Sequence, residues 1–304
     1  MVPLVLRRAS QVCRTGAGLA NLWFPVDGRV MSRAAFEAAG MDVLLKSDSS
    51  DPNAIAAGPA IVVDALTKRY PDVLAVDGIS FSVPRGSFTA LLGGNGAGKT
   101  TTLAMLLGLV TPTAGRIVIL GQDFAQHSKS LLARMNFQSP YADLPRRLTV
   151  RQNLTIYARL YGVGNTRERI ANLSNELDLN RLIDRRLGEL SAGQRTRAGL
   201  AKAFINRPEV VLLDEPTASL DPDTADWVRG FLSRYAKEAN ATFLIASHNM
   251  LEVERLCDSV LMMREGRIVD SGSPKALIAK YGRATLEDVF LEVARKGAKE
   301  DAIP

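Results

Sequence analysis

Cysteine is almost missing from this chain: Cys13 and Cys257 are the only two. Two isolated thiols give no disulfide framework and no metal-ligand spacing, and they suit a reducing cytoplasm. Long apolar runs are missing too. Crossing a bilayer takes roughly 20 apolar residues, and the nearest candidate, Ala54 to Val63, is shorter and contains Gly58-Pro59. Aromatic residues make up 6% of the 304 residues and do not interleave with the basic ones. The net charge of +6 is scattered through Arg146-Arg147, Arg185-Arg186 and Arg195 to Arg197 among many carboxylates, so no dedicated nucleic-acid surface is expected. What the chain does have is 46% hydrophobic residues, enough core for one large domain with a subdomain.

Its densest local pattern is Gly93-Gly94-Asn95-Gly96-Ala97-Gly98-Lys99-Thr100. The spacing G-x-x-x-x-G-K-[ST] lets backbone N–H groups close on phosphate oxygens, with the lysine reaching the β and γ phosphates and the hydroxyl holding magnesium. A glycine-rich turn between a strand and a helix needs no ligand, so context matters. Phe88 to Leu92 reads as a strand, and Lys99 to Val110 carries helix-spaced Leu103, Leu106, Leu107 and Val110. The helix N-terminus then points at the anion.

Val210 to Leu213 is an apolar run that ends in Asp214-Glu215. A strand buried on both faces looks like this where it leaves the sheet at its carboxyl end, which is where open α/β sheets bind ligands. Two carboxylates there can divide the work, one serving Mg²⁺ and one orienting or deprotonating an attacking water. A solvated acidic turn before Pro216 is the plainer reading. Ser191 and Gln194 have the spacing of a capping box, and Ala192-Gly193 leaves the backbone of that helix start open to a phosphate. Thr149 and Gln152 form a second such pair, followed by Val150, Leu154, Tyr157 and Tyr161 on one helical face. Of the two histidines, His248 follows the apolar strand Thr242 to Ala246, whereas His127 reads as a surface residue.

These motifs occur in the order found in the ATP-binding subunit of an ATP-binding cassette (ABC) transporter, and the chain resembles that family over roughly Ala60 to Ala294. Gly93 to Thr100 corresponds to the Walker A loop, Gln138 to the Q-loop, Leu190 to Gln194 to the signature motif and Val210 to Glu215 to Walker B. Ser219-Leu220-Asp221 matches the D-loop and His248 the switch histidine. Tyr70 stands where the family stacks an aromatic residue on adenine, although a tyrosine before Pro71 can equally close a turn. The departures are mild: LSAGQ replaces the commoner LSGGQ, and Gly94 stands where proline is frequent.

The resemblance implies a P-loop NTPase (RecA-like) α/β core with an antiparallel β portion and an inserted α-helical subdomain, here residues 139–208 within a domain at 59–294. It implies ATP and Mg²⁺ as ligands. Gly93, Gly94, Asn95, Gly96, Ala97, Gly98, Lys99, Thr100 and Thr101 would hold the nucleotide, with Tyr70 on the base. Thr100, Gln138 and Asp214 would serve the metal; Glu215, His248 and Gln138 would act in catalysis. Ser191, Gly193, Gln194 and Asp221 would complete the nucleotide site of a second cassette subunit, so the active unit is expected to be a dimer, homomeric or heteromeric. The other implied partner is an integral membrane permease on a separate chain, with this chain peripheral on the cytoplasmic face of the cell membrane.

The ending Thr285-Leu286-Glu287-Asp288-Val289-Phe290-Leu291 resembles ATPases serving exporters of drugs, lipids, polysaccharides or ions. Non-transport cassette proteins of translation or DNA maintenance are the alternative. The former normally carry two cassettes; the latter place a long coiled coil between Walker A and signature, where this chain has about ninety residues with turn signals at Gly162-Val163-Gly164. Residues 1–58 lie outside the resemblance. With Arg7, Arg8 and Arg14 and no carboxylate before Asp27, they could include a targeting segment. The expectation is a misassigned reading frame, with translation starting at Met31 or Met41. Ser47 to Asn53 reads as a polar linker, and 295–304 as a tail.

Overall fold

A computed structural model describes residues 24–26, 29–31, 58–139, 144–218 and 220–300, with side chains placed only up to Val293 in the last helix. Cys13, Met41, Ser47 to Asn53 and Ser219 lie outside the described residues. The chain divides into two compact units, Met1–Ala54 and Ile55–Pro304. In the first, strands β1 (Phe24–Val26) and β2 (Arg29–Met31) pair antiparallel.

In the second unit, a four-stranded antiparallel sheet has the order β4-β3-β6-β7, built from β3 (Ile61–Arg69), β4 (Leu74–Val83), β6 (Ala114–Ile119) and β7 (Gln122–Asp123). The apolar candidate Ala54 to Val63 thus enters a strand at Ile61, not a membrane span. A six-stranded sheet has the order β12-β11-β5-β10-β9-β8. Its members are β5 (Phe88–Gly93), β8 (Met135–Gln138), β9 (Val210–Asp214), β10 (Thr242–Ser247), β11 (Ser259–Arg264) and β12 (Arg267–Gly272), all parallel except edge strand β12.

The central strands are buried on both faces, and period-2 alternation divides them between two cores. Phe88, Ala90, Leu92, Val211, Leu213, Phe243 and Ile245 pack on the helical side. Leu91, Val210, Leu212, Leu244 and Ala246 pack with the antiparallel sheet and with Leu103 and Leu106 of α1 (Lys99–Leu106). The helical side carries α3 (Val150–Leu160), α4 (Thr166–Glu176), α5 (Ala192–Ala203) and α6 (Pro222–Ala239). The remaining helices are α2 (Phe124–Leu132), α7 (Met250–Leu256), α8 (Pro274–Tyr281) and α9 (Leu286–Glu300). Both expected capping boxes form, at Thr149/Gln152 and at Ser191/Gln194.

One helix is shorter than its pattern. The apolar spacing runs to Val110, but α1 ends at Leu106 because Gly108 takes φ +67°. Gly108 N–H donates to Met105 O and Leu109 N–H to Ala104 O, the paired bonds of a glycine-terminated helix end.

Candidate functional site

Parallel pairing in register brings several strand ends to one edge of the sheet. Ala246 pairs with Asp214, Ser247 with Leu92, Gln138 with Leu213 and Met263 with Gly93. The loops that follow therefore gather at the carboxyl ends of the strands, the ligand-binding edge of an open α/β sheet.

The loop from Gly94 to Gly98 leads into α1, whose N-cap Gly98 has φ +101°. A Cβ there would lie 2.6 Å from Ala75 O, so only glycine lets the loop close against β4. Lys99 Nζ donates to Gly93 O at 2.6 Å and to Gly94 O at 3.1 Å, folded back over the loop. Burial lowers its pKa, while Glu215 and Asp214 oppose that shift. Thr101 and its neighbours from Gly94 to Thr100 line a hollow of about 650 Å³ together with Tyr70, Val73 and Ala75. Tyr70 and Val73 close the β3–β4 turn through bonds from Tyr70 N–H to Val73 O and back from Val73 N–H to Tyr70 O. Tyr70 is 39% exposed, with Lys68 Nζ 5.1 Å from the centre of its ring. The tyrosine thus closes the turn, and its residue also walls the hollow.

Asp214 is 6% exposed, and its carboxylate accepts no hydrogen bond from the described residues. Burial raises its pKa, Glu215 adds to the rise, and Lys99 opposes it. Glu215 has φ +50°, an uncommon backbone for a residue with a side chain. That conformation costs on the order of 1–3 kcal/mol and persists only when its surroundings over-determine it. Glu215 N–H donates to Ala246 O, and Glu215 O accepts from Ala218 N–H. The Glu215 carboxylate meets His248 twice, at 3.0 Å from the backbone N–H and 2.5 Å from Nδ1. Ser247 Oγ lies 3.4 Å from its other oxygen.

Gln138 is buried; its Nε2 donates to Ser139 O at 3.3 Å and lies against Gly199 of α5. Lys202, also on α5, donates to Asn136 Oδ1 at 3.0 Å and to Phe137 O at 2.9 Å, tying that helix to the strand ahead of Gln138. Burial pushes the Lys202 ammonium down to about 8. Asp221 accepts Thr224 N–H as the N-cap of α6, a bond that holds its carboxyl below the usual value.

Ser191, Gly193 and Gln194 do not line the hollow. Gln194 N–H donates to Ser191 Oγ at 3.3 Å, Ser191 N–H donates to Gln194 Oε1 at 3.0 Å, and Gly193 lies over Thr224. His127 is exposed on α2, as expected of a surface residue. Three participants carried no sequence motif: Thr217, Ser247 and the 1% exposed Glu252. The one available signal was a carboxylate inside the apolar Met250-Leu251-Glu252-Val253.

The family model described as ABC transporter matches residues 76–218. Among curated proteins, the Nod factor export ATP-binding protein I of Burkholderia orbicola (strain AU 1054) is 42% identical over 217 residues, covering 69% of this chain and 70% of its own. The protein of the same name from Paraburkholderia xenovorans (strain LB400) is 38% identical over 237 residues, covering 76% of each. Among solved structures, an ATP-binding subunit of an ABC transporter superposes with a TM-score of 0.71 at 26% identity, covering 77% of this chain and 99% of that one. CbiO1 from Clostridium perfringens, described as part of the ABC transporter complex cbiONQ, gives a TM-score of 0.67 at 30% identity, covering 80% and 99%.

Proposed function

The chain belongs to the ABC transporter family as an ATP-binding, ATP-hydrolysing subunit, and from that premise we propose how its residues bind and split the nucleotide and what they drive. The observation carrying this reading is the meeting of Lys99, Asp214, Glu215 and His248 at one edge of the sheet beside the hollow.

The amides from Gly94 to Thr101 and the Lys99 ammonium neutralise the triphosphate, while Tyr70 presents its ring to the adenine. Phosphoryl transfer to water is mostly positioning and charge neutralisation, so the remaining demand is a base and a steady geometry. Glu215 takes a proton from the attacking water; His248 leaves its contact with Glu215 to bond the γ-phosphate. Thr100, Asp214 and Gln138 would hold Mg²⁺. The donor-free, buried Asp214 carboxylate suits a hard cation, which would supply charge neutralisation when bound. Ser191, Gly193 and Gln194 reach the nucleotide of a second cassette subunit, with Asp221 at that junction.

Among the described residues no helix is long and apolar enough to cross a membrane. Membership of a transporter family supports a separate permease that carries the path, with this subunit against it at the cytoplasmic face. A cavity of about 540 Å³ beside the Gln138 strand, lined by Leu107, Leu109, Phe137, Leu160 and Tyr161, is the proposed permease contact. Relatives named for Nod factor export favour export over import, and over translation or DNA maintenance.

The test is equilibrium binding of labelled ATP with Mg²⁺, plus phosphate release, on the whole chain alone and with its permease. The native chain should bind and hydrolyse; Lys99→Ala should bind at least about 100-fold more weakly, having lost charge-assisted bonds to two phosphates. Unchanged binding by Lys99→Ala would remove the assigned phosphate site.

A further inference from the structure

Glu252 is a buried carboxyl whose position its own helix does not explain. It stands on α7 and is 1% exposed. Its Oε1 accepts Thr217 Oγ1–H at 2.8 Å, and its Oε2 accepts Ser247 Oγ–H at 3.1 Å. Thr217 stands two residues after Glu215, and Ser247 immediately precedes His248. One carboxylate thus joins the two segments that carry the proposed base and the proposed switch histidine.

The Ser247 hydroxyl has a single proton and two carboxylates to serve, Glu252 at 3.1 Å and Glu215 at 3.4 Å. Its oxygen also accepts Asn249 N–H at 3.0 Å, so its orientation is set from three sides. Glu215 is the residue in need of such bracing. Its φ of +50° is held where Pro216 and Thr217 turn the chain away from β9, and Thr217 is 6% exposed with its hydroxyl directed at Glu252. A buried carboxyl that served only to fasten α7 could accept from α7 or from the strand alone. This one accepts from both flanks of the site.

We propose that Glu252 is a positioning residue for ATP hydrolysis, bracing Glu215 through Thr217 and Ser247 in the geometry that activates water. The proposal rests on the reading of Glu215 as the base. Misplacing a reacting group by about 1 Å costs up to about 100-fold in rate. Removing the brace should therefore lower kcat and leave nucleotide affinity alone, because none of these three residues lines the hollow.

The experiment measures kcat, KM for MgATP and single-turnover hydrolysis for Glu252→Ala, Glu252→Gln, Glu215→Gln and the Glu215→Gln/Glu252→Gln double variant, in the full chain with its permease. Expected are a kcat about 10- to 100-fold lower for Glu252→Ala, KM within about twofold, and partial rescue by Glu252→Gln, whose amide keeps one acceptor. In the Glu215→Gln background, Glu252→Gln should slow the residual reaction no further, since its effect passes through Glu215. Equal slowing in both backgrounds, or a native kcat for Glu252→Ala, overturns the proposal while leaving Glu215 as base. A native rate for Glu215→Gln overturns the reading beneath it. Should Glu252→Ala fail to fold, Thr217→Val and Ser247→Ala each delete one arm and are read by the same two criteria.

Discussion

Replacing Glu215 by glutamine removes one charge and almost no volume, which makes it the sharpest probe of the site. The amide oxygen can still accept the His248 N–H, now at 3.0 Å from the carboxylate, and its NH₂ can donate to Ser247 Oγ, 3.4 Å away. His248 Nδ1, 2.5 Å from that same oxygen, keeps its bond in the tautomer that carries the proton on Nδ1, since an amide oxygen, like the carboxylate oxygen, accepts. Folding stability should therefore change by no more than about 1 kcal/mol. Binding should hold or tighten, because the lost carboxylate also faced the incoming phosphates; its charge raises the pKa of both Lys99 and Asp214. Chemistry should suffer. A general base contributes about 10²- to 10⁴-fold, or roughly 3–5 kcal/mol of barrier. The assay is single-turnover hydrolysis of labelled ATP beside size-exclusion chromatography with and without MgATP. The variant should retain ATP as a dimer and cleave it at least about 100-fold more slowly. Native turnover would refute Glu215 as the base; loss of ATP binding would refute the claim that it acts on water and not on assembly.

Two further perturbations test the surroundings of the site. Leu109 and Leu160 are 75% and 73% exposed at the cavity beside Phe137, so Leu109→Glu and Leu160→Glu should leave the subunit's own stability within about 0.5 kcal/mol. Each should weaken permease co-purification about 10-fold or more, and native retention on the permease would place the contact elsewhere. Lys202 gives a pH test: its pKa falls from 10.5 to about 8 on folding, so the unfolded chain binds more protons between those values and stability rises with pH there. The cost of holding it charged, about 3 kcal/mol below pH 8, should fade towards pH 10.5. Measured by urea unfolding, the native chain should gain on Lys202→Met by up to that amount between pH 7.5 and 10; a constant difference would refute the burial-driven shift.

Most of the candidate site's local geometry was legible in the sequence because it is made by near neighbours. Gly98 and Lys99, Asp214 and Glu215, and Ser191 and Gln194 each act with neighbours a few residues away, and their spacing encodes the geometry. The strands were legible too, since Val210 to Leu213 and Thr242 to Ala246 are buried on both faces and read as continuous apolar runs. The stop of α1 was missed although its signal was present: Gly108 ends the helix, while Val110 kept the apolar period going. Glu252 left only a faint trace, a carboxylate among apolar neighbours, for a different reason. Its partners Thr217 and Ser247 come from other segments, brought together only by the parallel pairing of β9 with β10, and a lone glutamate on a short helix has no spacing to read.

The signature helix is capped by its own residues and tied to two neighbouring elements. Ser191 and Gln194 satisfy each other's backbone N–H groups, so the N-terminus of α5 is closed by its own side chains. Ser191 Oγ accepts in that box and keeps its own proton free to donate, so capping would not compete with the proposed phosphate contact. The same helix is anchored twice: Lys202 bonds Asn136 and Phe137 beside Gln138, and Arg197 lies 4.5 Å from the Trp227 ring on α6, near the helix start that Asp221 caps. Gly193 also rests on Thr224 of α6. Packed contacts therefore join the signature helix both to the Gln138 strand and to the helix that Asp221 caps.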